Sequence, residues 1–130
     1  MLKDSKAFSS FSTDDIGLVK EFYSSKLGLE VSDEPMGNIK IKLGSGAEVM
    51  IYPKGPAHQP AAFTVLTFPV KDIDQAVTEC TSKGIVFLQY DTGWIKTEAN
   101  GIARSQDLSK APHMAWFTDP AGNILALMQL

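Results

Sequence analysis

The stretch Asp15-Ile16-Gly17-Leu18-Val19-Lys20-Glu21-Phe22-Tyr23-Ser24-Ser25-Lys26-Leu27-Gly28 is echoed by Asp72-Ile73-Asp74-Gln75-Ala76-Val77-Thr78-Glu79-Cys80-Thr81-Ser82-Lys83-Gly84. In the first, Ile16, Val19, Phe22, Tyr23 and Leu27 fall on one helical stripe, while Lys20, Glu21 and Lys26 fall elsewhere. Asp14 and Asp15 suit the positive end of that helix, and Gly28 stops it. In the second, Asp72 caps the helix, with Gln75 three residues on to complete a capping box. Ile73, Ala76, Val77 and Cys80 supply its apolar stripe, and Gly84 ends it. The two Asp-Ile starts lie 57 residues apart and the two glycines 56 apart, so one residue is dropped between the copies. A shared period of that length indicates duplication of one small supersecondary unit.

The flanking sequence repeats as well. Before the first helix, residues 7–13 read as a strand. After it come a short strand from Leu29, the period-two run Asn38-Ile39-Lys40-Ile41-Lys42-Leu43 with one wet face, and a strand over residues 47–52. Residues 53–60, with three prolines and a glycine, form the only compact linker. Beyond it, strands are expected at 62–69, 85–88, 113–118 and 124–128, around the second helix. Residues 89–112 read as a long polar loop, with room for a short strand around Gly101-Ile102-Ala103-Arg104. A loop of that length in a small domain is functional or mobile. The expected organisation is a single domain over 1–130, made of module 1 (about 6–52), linker 53–60 and module 2 (about 61–130). Each module alone would leave an apolar sheet face uncovered, so the two are expected to pack together.

Composition bounds the function. The chain has 130 residues, 44% hydrophobic and 21% charged, with 12 Lys+Arg against 15 Asp+Glu and a net charge of −3. This is the balance of a globular protein. Arg104 is the only arginine, so the several guanidinium forks of a nucleic-acid interface are missing. The single cysteine, Cys80, excludes an internal disulfide and suits a reducing compartment. The start shows no apolar run after its charges, and no window approaches the roughly 20 apolar residues of a membrane span. The expected location is cytoplasmic, with neither nucleic acid nor membrane as a partner.

Three stretches resemble the vicinal oxygen chelate superfamily, the glyoxalase, bleomycin-resistance and extradiol-dioxygenase group. They are Asp15-Ile16 with Phe22-Tyr23-Ser24-Ser25-Lys26-Leu27-Gly28-Leu29-Glu30-Val31; Phe68-Pro69-Val70-Lys71-Asp72-Ile73 running on to Lys83-Gly84; and Phe117-Thr118-Asp119-Pro120-Ala121-Gly122-Asn123-Ile124-Leu125. The resemblance implies an α+β fold of two tandem βαβββ modules, whose mixed sheets form an open cup with the helices outside. It also implies a homodimer. The Asp119-Pro120-Ala121-Gly122-Asn123 run has its own physical reason: Pro120 presets a turn φ and Gly122 permits a positive one, so its reading is structural.

Metal-dependent members hold a divalent ion with His or Glu on the first and last strands of each module. The resemblance places Phe8 and Val65 at the first-strand positions, seven residues before the Asp that opens each helix. It places Ala126 at the last-strand position of module 2. Its module 1 counterpart is Val49, or Ile51 if the strand slips. None is a metal donor, so neither a metal nor another cofactor is expected. Strand alternation aims Glu48 away from the cup if Val49 looks in, and a one-residue error would reverse this. His58 reads as an exposed linker histidine. His113, at the end of the long loop, could reach the rim.

The cup is then expected to be apolar: Phe8, Ser10, Ser12, Val49, Val65, Thr67, Ala126 and Met128 face inward, with Trp116 on a neighbouring strand. Trp94 and Arg104 lie on the long loop near the mouth, Arg104 ready to pair with an anionic ligand group or with Asp107. The leading reading is metal-independent binding of a small, partly apolar organic molecule in a sequestering, resistance-like or sensing role. Two others stand beside it: a metal-dependent lyase, isomerase or dioxygenase with unconventional ligands such as His113 and Glu48, and a structural or interaction domain whose cup is filled by its own side chains.

Overall fold

A computed structural model describes residues 1–130, and the chain divides into two compact units, Met1–Pro60 and Ala61–Leu130. The first runs β1 (Ser9–Thr13), α1 (Ile16–Glu21), β2 (Glu30–Asp33), β3 (Ile39–Lys42) and β4 (Glu48–Pro53). The second runs β5 (Thr64–Pro69), α2 (Ile73–Ser82), β6 (Ile102–Ala103), β7 (His113–Thr118) and β8 (Ile124–Gln129). Each unit is one four-stranded mixed sheet, ordered β1-β4-β3-β2 and β5-β8-β7-β6. In both, the first and last strands pair in parallel and the other pairs are antiparallel. This is the α+β architecture of two tandem βαβββ modules.

The helix starts match atom for atom. Asp15 Oδ1 accepts from the Leu18 N–H and Asp72 Oδ1 from the Gln75 N–H, both at 3.1 Å. The capping box at Asp72 is only half formed, because Gln75 Nε2 donates to Glu79 Oε1 at 3.2 Å instead of turning back. Gly28 and Gly84 take φ of 69° and 86°, the left-handed region that ends helices. The expected first helix is not uniform: after Glu21 it widens into a π turn over Phe22–Lys26, where the Leu27 N–H donates to Phe22 O five residues back at 3.0 Å. Phe22 and Tyr23 are buried there, their rings edge to face at 5.2 Å.

Each sheet has one helix-covered face. In the first unit, Phe11, Ile39, Ile41, Val49 and Ile51 are buried on it, and Phe11 meets the Tyr23 ring at 6.4 Å. In the second, Ile73 and Val77 of α2 are buried, as are Ile102, Ala115, Phe117, Leu125 and Leu127 of the sheet. The Gln129 side chain marks the same side by accepting from the Ile73 N–H at 2.9 Å.

The turn into β8 locks itself. Asp119 Oδ1 accepts from the N–H groups of Ala121 and Asn123, both at 2.9 Å, and Gly122 takes φ 81°. Asn123 Oδ1 then accepts from the Ala61 N–H at 3.0 Å, tying the start of the second unit to its last hairpin. Both Asp119 and Asn123 are buried, and their role is structural.

Residues 85–88 do not form the expected strand. They make one bridge, Phe87 to Phe117, and Leu88 N donates to Trp116 O at 2.8 Å. The chain then leaves this edge of β7 and returns through Gly101 as β6, pairing Ile102 with Ala115 and Ala103 with Met114. One edge thus receives two short segments where the first sheet has a single strand. No helix is long and apolar enough to cross a membrane.

The return also places Arg104, correcting the expectation for that residue. Its guanidinium meets Asp74 of α2 through both terminal nitrogens, and its Nε donates to Glu98 Oε1 at 2.6 Å. Arg104 therefore straps β6 to α2 and pairs with neither Asp107 nor a free mouth. The hydrogen bond from Arg104 holds the Asp74 carboxyl below its ordinary value of 3.8.

Two outcomes follow for the second unit. At Gly101, φ is +96° and an added methyl would overlap Phe87, so Gly101→Ala should destabilise the fold by about 2–4 kcal/mol. Urea denaturation measures this, and an unchanged midpoint would contradict the packing described. For Asp74 the folded-state pKa lies below the unfolded one. Its contribution is therefore present above the ordinary carboxylate range and is lost as pH falls through the lowered value. Carboxyl NMR titration should show Asp74 below 3.8 in the wild type and back near it in Arg104→Gln.

Candidate functional site

The face of each sheet opposite its helix is the candidate surface, and register decides which side chains it carries. Paired residues in a ladder share a face. In the first unit Ser9 pairs with Val49, Ser10 with Met50 and Ser12 with Tyr52. Phe8, Ser10 and Ser12 therefore share the open face with Glu48, Met50 and Tyr52. Val49 is 3% exposed and points to the helix side. The expectation that Val49 faces the cup is corrected by one residue, and the same shift brings Glu48 onto the open face. The module 1 counterpart of Ala126 is Met50, since Ser10 pairs with Met50 as Thr67 pairs with Ala126.

Strand β3 adds Lys40 and Lys42 to this face, opposite Met50 and Glu48. Lys40 Nζ lies 3.1 Å from Glu48 Oε2 and 3.3 Å from Glu34 Oε1. The hydrogen bond to Glu48, then that to Glu34, push the Lys40 pKa up, so the ammonium stays charged and paired. Over this trio opens a recess of about 320 Å³, walled by Phe8, Pro35, Met36, Asn38 and Met50. Asn38 Nδ2 donates to Met50 Sδ at 3.6 Å, fixing the thioether at the wall. A second recess of about 280 Å³ shares Phe8 and Glu48 and is lined otherwise by Lys6, Ala7, Gly46 and Ala47. The sequence reading found Phe8 but missed Lys40, Met50 and Met36. The signal for the first two was present: two lysines alternating on β3 fit best beside the face that holds Glu48, not the one that holds Val49.

Ser12 and His58 come together, the Ser12 hydroxyl and His58 Nδ1 sharing a hydrogen bond of 2.7 Å. His58 is thus half-buried and bonded, correcting its reading as an exposed linker residue. In the second unit, Thr67, Trp116 and Ala126 share one face by register, as do Met114 and Met128. Trp116 is half-buried with its ring edge to face with Tyr90 at 5.3 Å, and Ala126 is fully buried. Ala126 therefore lines no open surface. Val65 is the extra residue of a bulge between Thr64 and Leu66 and is half-buried. Trp94 sits at the tip of a small hairpin closed by Asp91 and Lys96 and is 95% exposed, so it covers nothing. His113 pairs with Gln129 on the helix side of β7, where Nδ1 accepts from the Ser105 N–H at 2.9 Å. It does not reach the open face.

These residues do not fit a divalent ion. The positions at issue carry Phe8, Met50, Val65 and Ala126, which offer one thioether where hard or borderline ions need several N or O donors. Glu48 is committed to Lys40, and no group of three His, Cys, Asp or Glu side chains comes together. Cys80 is half-buried on α2, where desolvation pushes its thiol up, away from the thiolate a nucleophile needs.

Comparison with solved structures gives the same fold throughout. TnmS3, an antibiotic binding protein from Streptomyces sp. CB03234, superposes with a TM-score of 0.63 at 20% identity, covering 97% of each chain. An integron cassette protein from the mobile metagenome of Halifax Harbour Sewage Outfall gives 0.69 at 17% identity, covering 97% of this chain and 100% of that one. A virulence protein from Salmonella typhimurium gives 0.66 at 19% identity, covering 99% and 98%. No curated protein matches by sequence. A profile of the glyoxalase/bleomycin resistance protein/dioxygenase superfamily matches residues 9–127, nearly the whole chain, and to that superfamily the chain belongs.

Proposed function

We propose that the chain binds a small, partly apolar organic molecule without a metal ion, in a sequestering, resistance-like or sensing role. The observation that carries this reading is the recess of about 320 Å³ on the open face of the first sheet. It has the size and character of a small-molecule site: apolar walls with a few placed polar groups. Phe8 and Met50 supply apolar contact, Ser10 and Ser12 lie on the same face, and the Lys40 trio forms the polar floor. The superfamily, and a structural relative described as an antibiotic binding protein, support a binding role. The side chains at the metal positions support a role that needs no ion. The same proposal has the two modules acting as one domain, in the cytoplasm, as a homodimer.

Native mass spectrometry of protein purified from its own host tests the reading as a whole. The expected spectrum shows two subunits, a co-purified small molecule and no stoichiometric metal. Adding zinc, nickel or iron(II) should leave the melting temperature unchanged, whereas an ion at a hundred times its Kd would stabilise the fold by about 2.7 kcal/mol. Substitution by tryptophan separates the two sheets. Met50→Trp should place its indole in the recess, stay folded and lose the co-purified molecule. Ala126→Trp should overpack a filled site and cost about 1–3 kcal/mol. One tightly held ion per chain, or a Met50→Trp protein that keeps its small molecule, would overturn the reading.

A further inference from the structure

The wall of the recess contains a residue whose backbone works against the fold. Between β2 and β3 the chain turns through Pro35-Met36-Gly37-Asn38, with Asn38 N donating to Pro35 O at 3.3 Å. Met36 has φ 63° and ψ 25°, Gly37 has φ 76°, and Met36 is the only non-glycine residue in the chain with positive φ. Two successive left-handed residues make the mirror-image turn that hairpins favour, and its first central position belongs by preference to Asn, Asp or Gly. A long, unbranched side chain there gains nothing locally and pays the left-handed penalty. Packing does not offset it either: Met36 is 87% exposed. Backbone held in a disfavoured region for no internal contact points to a contact made with something else.

What lies beside Met36 gives the class of that contact. The thioether lines the same recess as the Met50 thioether and the Phe8 ring, and Phe8 is 57% exposed. Thioethers and a phenyl ring around one recess suit a flat aromatic molecule, through sulfur–ring and ring–ring contacts. The floor does not call for charge. Lys40 is already held by Glu34 and Glu48, so an anion would meet a net charge of −1 and a cation would meet carboxylates already bonded to Lys40.

We propose that Met36 is a ligand-contact residue, kept in a strained turn so that its thioether closes over an uncharged, flat aromatic molecule seated against Phe8 and Met50. This rests on the binding role proposed above and names the ligand class of that recess. The strain and the affinity are opposite sides of one substitution: relaxing the turn removes the contact.

N-phenyl-1-naphthylamine, an uncharged aromatic whose fluorescence rises in apolar sites, is the probe. Its sulfonated counterpart, 8-anilino-1-naphthalenesulfonate, has the same rings with a negative charge. Wild type should bind the uncharged probe, with the sulfonate about tenfold weaker. Met36→Asn should raise the melting temperature and weaken the uncharged probe about fivefold or more. Phe8→Ala should weaken it as well, without the gain in melting temperature. Equal affinity in Met36→Asn and wild type, or a fall in melting temperature, overturns the role given to Met36. Equal or tighter binding of the sulfonate overturns the uncharged class. No binding of either probe to wild type overturns the aromatic class, while a co-purified molecule in the native spectrum would still stand for the broader binding role.

Discussion

In each unit the single α-helix covers only one face of a four-stranded sheet. Everything else in this chain depends on that asymmetry. Strand residues alternate between faces, so the helix side collects Phe11, Ile39, Ile41, Val49 and Ile51, all buried. The alternate residues of the first sheet, Ser10, Lys40, Lys42, Glu48 and Met50, fall to the open side. Burial of the first set fixes the register. The register then decides which side chains stand together where a ligand could sit. The recess is therefore set by the same alternation that makes the core.

Much of this was legible in the sequence, because the signals are local. An acidic start, an apolar stripe and a terminal glycine recur with one period, and in the structure an Asp side chain caps each helix at the same distance. What escaped was non-local or balanced on a single residue. Val49 and Glu48 differ by one position in a strand, and a one-residue slip moves every side chain to the other face. Arg104 lies just past β6, but its partner Asp74 lies 30 residues away on α2, beyond any local pattern. Residues 85–88 have the composition of a strand, yet β7 offers them one bridge because Ile102 and Ala103 take the rest of that edge.

The second sheet shows how far the repeat goes. Topology and caps are shared, but the open faces are not alike. Ala126 stands where the first unit has Met50, and it is fully buried, while Met50 borders a recess. The repeat gives two scaffolds, and the recess described above lies on one of them. The superfamily's metal positions tell the same story in this chain: the backbone that would present donors is present, and the side chains on it are apolar.

Methyl NMR of the methionines tests the central claim, that the open face of the first sheet is the site. The chain has five methionines, two of them, Met36 and Met50, at the recess, and two, Met114 and Met128, paired on the second sheet. With methyl-labelled protein and N-phenyl-1-naphthylamine, the ε-methyl signals of Met36 and Met50 should shift together and saturate together. Those of Met1, Met114 and Met128 should stay in place. Shifts confined to Met114 and Met128, with Met36 and Met50 unmoved, would contradict the account.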